Sequence, residues 1–201
     1  KPLTKVGNTT VIDKFINSFS LNFEYIFICK LEDVLNSDLI LKLKSFKIKK
    51  KIIIIDHNTS NIIDTILNAD KYIKQTDSIV IAHPDSVVKF NKNSFLKKIK
   101  QKNIDGLLFA YDHFNPTFLD NDLVGRCISD SNNNVIEIKE KSRRYPNEKT
   151  LAGVYYYSRW SHFKKYAKKT FKNQNTINGI FYVSQIYNEY IKDKKNIKHF
   201  I

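Results

Sequence analysis

The chain has 201 residues, 42% of them hydrophobic, with 14 Phe and 11 Tyr, which suits one domain with a full core. Apolar runs such as "IIII" at 52–55 are far too short for the ~20 continuous apolar residues of a membrane span. With 34 Lys+Arg against 20 Asp+Glu the formal charge is +14, which disfavours cationic partners and favours nucleic acid, anionic membrane, nucleotides or other phosphates.

The lysines are scattered in "KLKSFKIKKK", "FLKKIKQK", "HFKKYAKK" and "IKDKKNIK", each on or beside a helix-like pattern. They read as solvated faces rather than as a nucleic-acid groove. Cys29 and Cys127 stand alone, with no C-x-x-C spacing, so neither a disulfide framework nor a zinc site is indicated and both read as small core residues. No signal peptide is visible, and the expected location is the cytoplasm. The chain opens on Lys1 rather than Met, so what precedes it stays open.

Taken in order, "TTVIDKFINSF" (9–19) has apolar residues at 11, 12, 15, 16 and 19, which is helical spacing, with Thr9 or Thr10 as N-cap. "EYIFIC" (24–29) reads as a strand and "LEDVLNSDLILKLKSF" (31–46) as a helix. "KIIIID" (51–56) is a buried strand, and "NIIDTILNADKYI" (61–73) is a helix capped by Thr59 or Ser60. A strand at 78–82, a helix near 93–101 and the strand "GLLFAYD" (106–112) follow. Strands joined by helices imply βαβ units and a mostly parallel sheet.

After residue 112 the pattern changes. "LVGRCISDSNNNVIEIKEK" (123–141) is a hairpin around an Asn-rich turn, and "LAGVYYYS" (151–158) is a further strand. Helices near 159–170 and 181–193 close the chain. The expectation is a single α/β domain: a mostly parallel sheet flanked by helices, with an antiparallel hairpin added in the C-terminal half.

Ligands of open parallel sheets bind outside the carboxyl ends of the strands. "DHNTSN", "HPDS" and "YDHFNPT" reach that edge. Asp85 there suits a carboxylate that grips a cation facing phosphates, although a residue capping a turn or the next helix is the commoner role of an Asp in such a place. His57, His83 and His113 also lie at strand ends, but their spacing matches no metal motif and they read as loop histidines. Glu140 and Lys141 could bind sugar hydroxyls and a phosphate together. The alternative is a surface pair worth under ~1 kcal/mol.

The ordered segments resemble the sugar-phosphate nucleotidylyltransferases, whose fold is of GT-A type and Rossmann-like. "KPLTKVGNTTVIDKFINSF" resembles the second half of that family's opening signature, and "HNTSNIIDTILNADKYI" its Thr-x-Gly…Glu-Thr segment near the nucleotide. "SIVIAHPDSVV" is similar to its strand ending in Asn-x-Asp. "GRCISDSNNNVIEIKEK" with "LAGVYYYS" resembles the Glu-Lys hairpin and Gly-Val-Tyr-Tyr-Phe strand around the sugar phosphate, and "NGIFYVSQIYNEYIKDKKNI" the closing Asn-Gly-Glu-Phe-Tyr helix.

The resemblance implies catalytic roles for Lys1 and Asp85, with Asp85 also the Mg²⁺ ligand. It implies nucleotide-side roles for Thr59 and Asp64, and sugar-phosphate contacts from Glu140, Lys141 and Gly153. Residues 1–112 would form the nucleotide-binding half and 113–201 the sugar-phosphate half. The implied substrates are a nucleoside triphosphate and a sugar-1-phosphate or similar small phosphate, and an oligomer is compatible with the sequence. An oxygen of the sugar phosphate would attack the α-phosphorus and release pyrophosphate, giving an activated sugar for surface polysaccharide. Such chemistry depends chiefly on positioning and charge neutralisation.

There are departures. The Gly-rich loop and its Arg are expected upstream of Lys1. Asn61 stands for a Gly, His83-Pro84-Asp85 for Asn-x-Asp, Asp64 for a Glu, and Ile180 for a Glu that could be a second carboxylate. Together they keep open a catalytically impaired relative that binds nucleotide, sugar phosphate or a partner protein. Base choice would depend on the Gly-rich segment, and sugar choice on the 112–125 loop.

Overall fold

The computed structural model describes residues 1–111, 124–141, 148–174 and 176–201. A short ribbon of β1 (Lys5–Val6) and β2 (Thr9–Thr10) turns at Gly7, whose φ of 66° suits a residue without Cβ, and leads into α1 (Val11–Phe19). Of the two expected N-cap candidates the cap is Thr10, which forms a reciprocal capping box with Asp13, and Ile12, Phe15, Ile16 and Phe19 turn inward. Hydrogen bonds from Lys42 and Thr10 hold the Asp13 carboxyl down at about 2.

β3 (Tyr25–Lys30) follows, but the single helix expected over 31–46 is two, α2 (Leu31–Leu35) and α3 (Leu39–Ser45). The break falls at Asn36-Ser37-Asp38. There the Ser37 hydroxyl donates to the Asp33 carbonyl and accepts from the Leu39 N–H at 3.3 Å, so the side chain displaces the helical ladder.

β4 (Lys50–Ile55) leads to α4 (Ile62–Leu67) and a 3₁₀ turn at Asp70–Tyr72, shorter than the helix expected over 61–73. Its cap is Asn61, not Thr59 or Ser60, and the Asn68 amide closes it on the carbonyls of Asp64 and Thr65. β5 (Ile79–Ala82), α5 (Lys92–Ile99) and β6 (Gly106–Tyr111) stand close to where the sequence puts them.

The hairpin is β7 (Arg126–Ser129) and β8 (Val135–Lys139), turned by Asp130, whose carboxylate accepts from the N–H groups of Asn132 and Asn134. β9 (Glu148–Tyr157) starts earlier than expected. α6 (Trp160–Lys172), a 3₁₀ turn at Val183–Gln185, α7 (Ile186–Lys192) and an unforeseen strand, β10 (Ile197–Phe200), complete the chain.

The larger sheet has the order β10-β6-β9-β7-β8. β9 lies along β6 by one edge, and its other edge holds β5 and β7 end to end. β5, β6, β7 and β10 run one way, β8 and β9 the other. The result is the expected single α/β domain, with β9 as the antiparallel seam. One face carries α6, α7 and the Tyr155, Tyr157, Trp160 and Phe163 cluster; the other carries α1, α3 and α5 over Leu107, Phe109 and Val154.

β3 and β4 form a separate parallel pair. Tyr25 and Phe27 nevertheless pack into the same cluster as Val80 and Ala82, while Ile26 and Ile28 meet Ile73, which also touches the cluster of Ile79 and Ile81. Among the described residues each of β3 and β5 has one unpaired edge. Both are apolar along most of their length yet only half-buried, which is unusual for such sequences. Amides on those edges are expected to exchange with solvent at least about 100-fold faster than those of β6 and β9. Equal protection, measured residue by residue by NMR, would show that the edges are covered.

Candidate active site

β5 ends because Pro84 has no N–H to continue the ladder. The chain reverses at once: the Ser86 N–H donates to the His83 carbonyl at 2.9 Å, with Pro84 and Asp85 as the two central residues. Asp85 is therefore both the turn residue and an exposed carboxylate at the carboxyl end of a strand. The turn is tied to β9 by the His83 N–H, which donates to the Gly153 carbonyl at 3.2 Å. Gly153 has a φ of 73°, and a Cβ there would lie 2.6 Å from the Ser86 hydroxyl oxygen. Only glycine meets both demands, so this position fixes how closely the Asp85 turn approaches the sheet.

The His83 ring sits edge-on to Tyr155, centroids 6.4 Å apart. Burial holds its imidazole below the usual histidine range, against the pull of Asp85. Tyr155 itself is buried, and burial together with the charge of Glu140 pushes its hydroxyl far up. Tyr155 thus touches His83 of the Asp85 turn and lies within electrostatic reach of a second carboxylate.

That carboxylate, Glu140, follows β8 and is only 8% exposed. It is no surface partner of Lys141. The Ser184 hydroxyl donates to it, and the Gly125 backbone lies so close that a Cβ there would be 2.4 Å from Glu140 Oε1. Burial pushes the Glu140 carboxyl up, while Ser184 and Lys141 pull it down. Lys141 has a left-handed φ of 50°, and its Nζ lies 5.8 Å from the centroid of the Tyr182 ring. Beneath the hairpin, on the opposite face, fully buried Arg126 donates to Thr150 Oγ1 at 2.9 Å and Lys139 to Glu148 at 2.9 Å.

The other candidates are not all drawn into this group. Thr59 shares a 2.6 Å hydrogen bond with Thr65, and Asp64 accepts from the Ser60 N–H at 3.0 Å, so both close the first turn of α4 beyond β4. Asn61, where the resemblance expects Gly, has an extended backbone (φ −166°) open to any residue, and its side chain caps α4. Lys1 is exposed, its carbonyl accepting from the Thr4 N–H at 3.0 Å, beside the start of α1.

Ile180 is 51% exposed just past the left-handed Asn178-Gly179 pair. His57 is an exposed neighbour of Asp56. His113 and most of the 112–125 loop lie outside the described residues. Ser184 and Gly125 were missed from sequence. A small polar residue among the bulky side chains of "FYVSQIY" was the available signal for Ser184.

Among the described residues no group of three or more His, Cys, Asp or Glu could enclose a metal ion. One exposed carboxylate at a strand end fits Mg²⁺ differently: as an ion that keeps most of its water and arrives with substrate phosphates. Among the same residues no helix is long and apolar enough to cross a membrane.

A family model described as nucleotidyl transferase matches residues 1–198. The chain belongs to that family. No curated protein matches it in sequence. Among solved structures it is similar to a nucleoside-diphosphate-sugar pyrophosphorylase from Vibrio cholerae RC9, with a TM-score of 0.75 at 17% identity over 99% of this chain and 82% of that one. It is also similar to HddC from Yersinia pseudotuberculosis, with a TM-score of 0.64 at 15% identity over 99% of this chain and 79% of the other. The inositol-1-phosphate CTP transferase from T. maritima gives 0.67 at 10% identity, over 100% and 76%. At these identities the likeness is one of fold. In this member of the nucleotidyl transferase family, the Asp85 turn and the Glu140 seat are each held against a glycine backbone.

Proposed function

We propose that the chain joins a nucleoside triphosphate to a sugar-1-phosphate, or to a related small phosphate, giving an activated nucleotide-linked product and pyrophosphate. The observation that supports this reading is a pair of carboxylates linked through buried Tyr155: Asp85 exposed on a turn whose His83 ring meets Tyr155, and Glu140, within electrostatic reach of Tyr155, seated against Gly125 and Ser184.

In this reading residues 1–112 take the nucleotide and 113–201 the acceptor phosphate. Mg²⁺ bound through Asp85 supplies charge neutralisation on the triphosphate. Lys1 adds a positive charge toward the phosphates, and Thr59 and Asp64 border the nucleotide. Glu140 accepts hydrogen bonds from acceptor hydroxyls, Lys141 faces its phosphate, and Gly153 lets the Asp85 turn come close. No protein nucleophile is required, because the attacking oxygen belongs to the acceptor and the site needs only to align it. The product would serve surface polysaccharide synthesis in the cytoplasm.

The test is pyrophosphate release by the natural full-length protein, with and without Mg²⁺. The four common nucleoside triphosphates are each paired with sugar-1-phosphates and with inositol and small alcohol phosphates. Release with at least one pair, abolished by chelation, is the expected result. No release with any pair would leave the second reading, a non-catalytic relative that binds one of these ligands. Ile180 favours that alternative, because an exposed aliphatic side chain stands where a second carboxylate is expected.

A further inference from the structure

Glu140 is unusual for a carboxylate meant to meet a polar ligand. It is nearly buried, and the groups around it come from distant parts of the chain. Gly125, before β7, passes so close that both carboxylate oxygens would collide with any side chain there, at 2.4 and 2.8 Å from its Cβ. Ser184, in the 3₁₀ turn before α7, is 1% exposed and donates its hydroxyl to Glu140 Oε1.

Charged and titratable groups facing this carboxyl, among the described residues, are few. Lys141 is next to it in sequence. Tyr155 on β9 lies within electrostatic reach of Glu140, and Cys127 on β7 within reach of Tyr155. His83 packs edge-on against the Tyr155 ring. Burial pushes the Cys127 thiol up to about 12 and the Tyr155 hydroxyl higher, so both are neutral near pH 7. A buried carboxylate in such surroundings is ionised only as far as donors stabilise it.

We propose that Ser184 is a positioning residue that fixes the Glu140 carboxyl against Gly125 and keeps it a hydrogen-bond acceptor for hydroxyl groups of the acceptor phosphate. This rests on the acceptor-side role given to Glu140 above. The Ser184 hydroxyl donates to Oε1, and the proposal assigns Oε2 to the ligand, so specificity for a hydroxyl-bearing acceptor would depend on a residue that never touches it. The sign follows from the donor's preference. Ser184 stabilises the charged form, so its loss raises the pH at which Glu140 takes up a proton, and acceptor binding fails at a higher pH.

The test reads Glu140 directly, by carboxyl ¹³C NMR titration of the folded protein, beside the pH profile of acceptor binding. In Ser184→Ala the Glu140 midpoint is expected to rise by about one unit. The acceptor KM is expected to rise by up to about tenfold as the pH falls through the raised Glu140 midpoint, with the triphosphate KM unchanged. Ser184→Thr, which keeps the hydroxyl, restores both. If Ser184→Ala does not fold, Ser184→Cys, a weak donor, is read in its place and shifts the same way.

An unchanged midpoint overturns the inference whatever the enzyme's activity. A raised midpoint with unchanged acceptor KM overturns it too, by showing that the carboxyl's state does not matter to the acceptor. A raised midpoint in a protein that binds no phosphate-bearing acceptor at all overturns the proposed function, and the acceptor role with it.

Discussion

Asp85→Asn is expected to lower Mg²⁺-dependent pyrophosphate release at least about 100-fold while leaving the melting temperature within a degree or two. The asymmetry follows from where Asp85 sits. Its side chain is exposed, and the hydrogen bonds that close the turn are made by backbone groups of His83, Asp85, Ser86 and Val87, none of which the amide disturbs. The amide removes only the negative charge and one strong acceptor from a strand end where phosphates would gather. Steady-state pyrophosphate release at saturating Mg²⁺, beside a thermal melt, checks both halves. Activity within a few-fold of the wild type would remove Asp85 from the metal role and return it to being a turn residue.

The largest effect on stability is expected at Tyr157. This side chain is fully buried at the C-terminal end of β9, stacked on Tyr187 with centroids 4.5 Å apart, and its hydroxyl donates to the Val183 carbonyl at 2.8 Å. Tyr157→Ala removes an aromatic ring from the middle of the cluster and should cost about 3–5 kcal/mol. That is a large fraction of the ~5–15 kcal/mol that holds a typical domain together. The expected loss in melting temperature is roughly 10 °C or more for a chain of this size. Tyr157→Phe keeps the stack and loses the hydroxyl, for about 1 kcal/mol. Chemical denaturation of the two variants separates ring from hydroxyl, and equal losses would contradict this division. Val183 directly precedes Ser184, so even the milder variant tests whether the tyrosine cluster also steadies the Glu140 seat.

Where an element is held by neighbours in sequence, it could be read directly. α1 is one case, because its apolar spacing and a Thr cap lie within the same eleven residues. The Asp130 turn of the hairpin is another. The helix expected over 31–46 shows the limit of periodicity, since its apolar spacing continues through Asn36-Ser37-Asp38 while local hydrogen bonding breaks the backbone there. β10 was missed because "IKHF" has no apolar alternation of its own; it is a strand because β6 offers it an edge. Asn61 is a departure from the family pattern in sequence and a helix cap in the structure.

The sequence by itself determined that this is an alternating α/β chain, that β5 stops at Pro84, and that a carboxylate follows the stop. These follow from apolar runs, from a missing N–H and from one side chain, all local properties. Tertiary structure alone decided what surrounds that carboxylate. Gly153 brings the Asp85 turn to β9 from across 68 residues, and Ser184 meets Glu140 from across 44. A residue's neighbours at such separations depend on strand order and on close packing, and a pattern of residue types along the chain encodes neither.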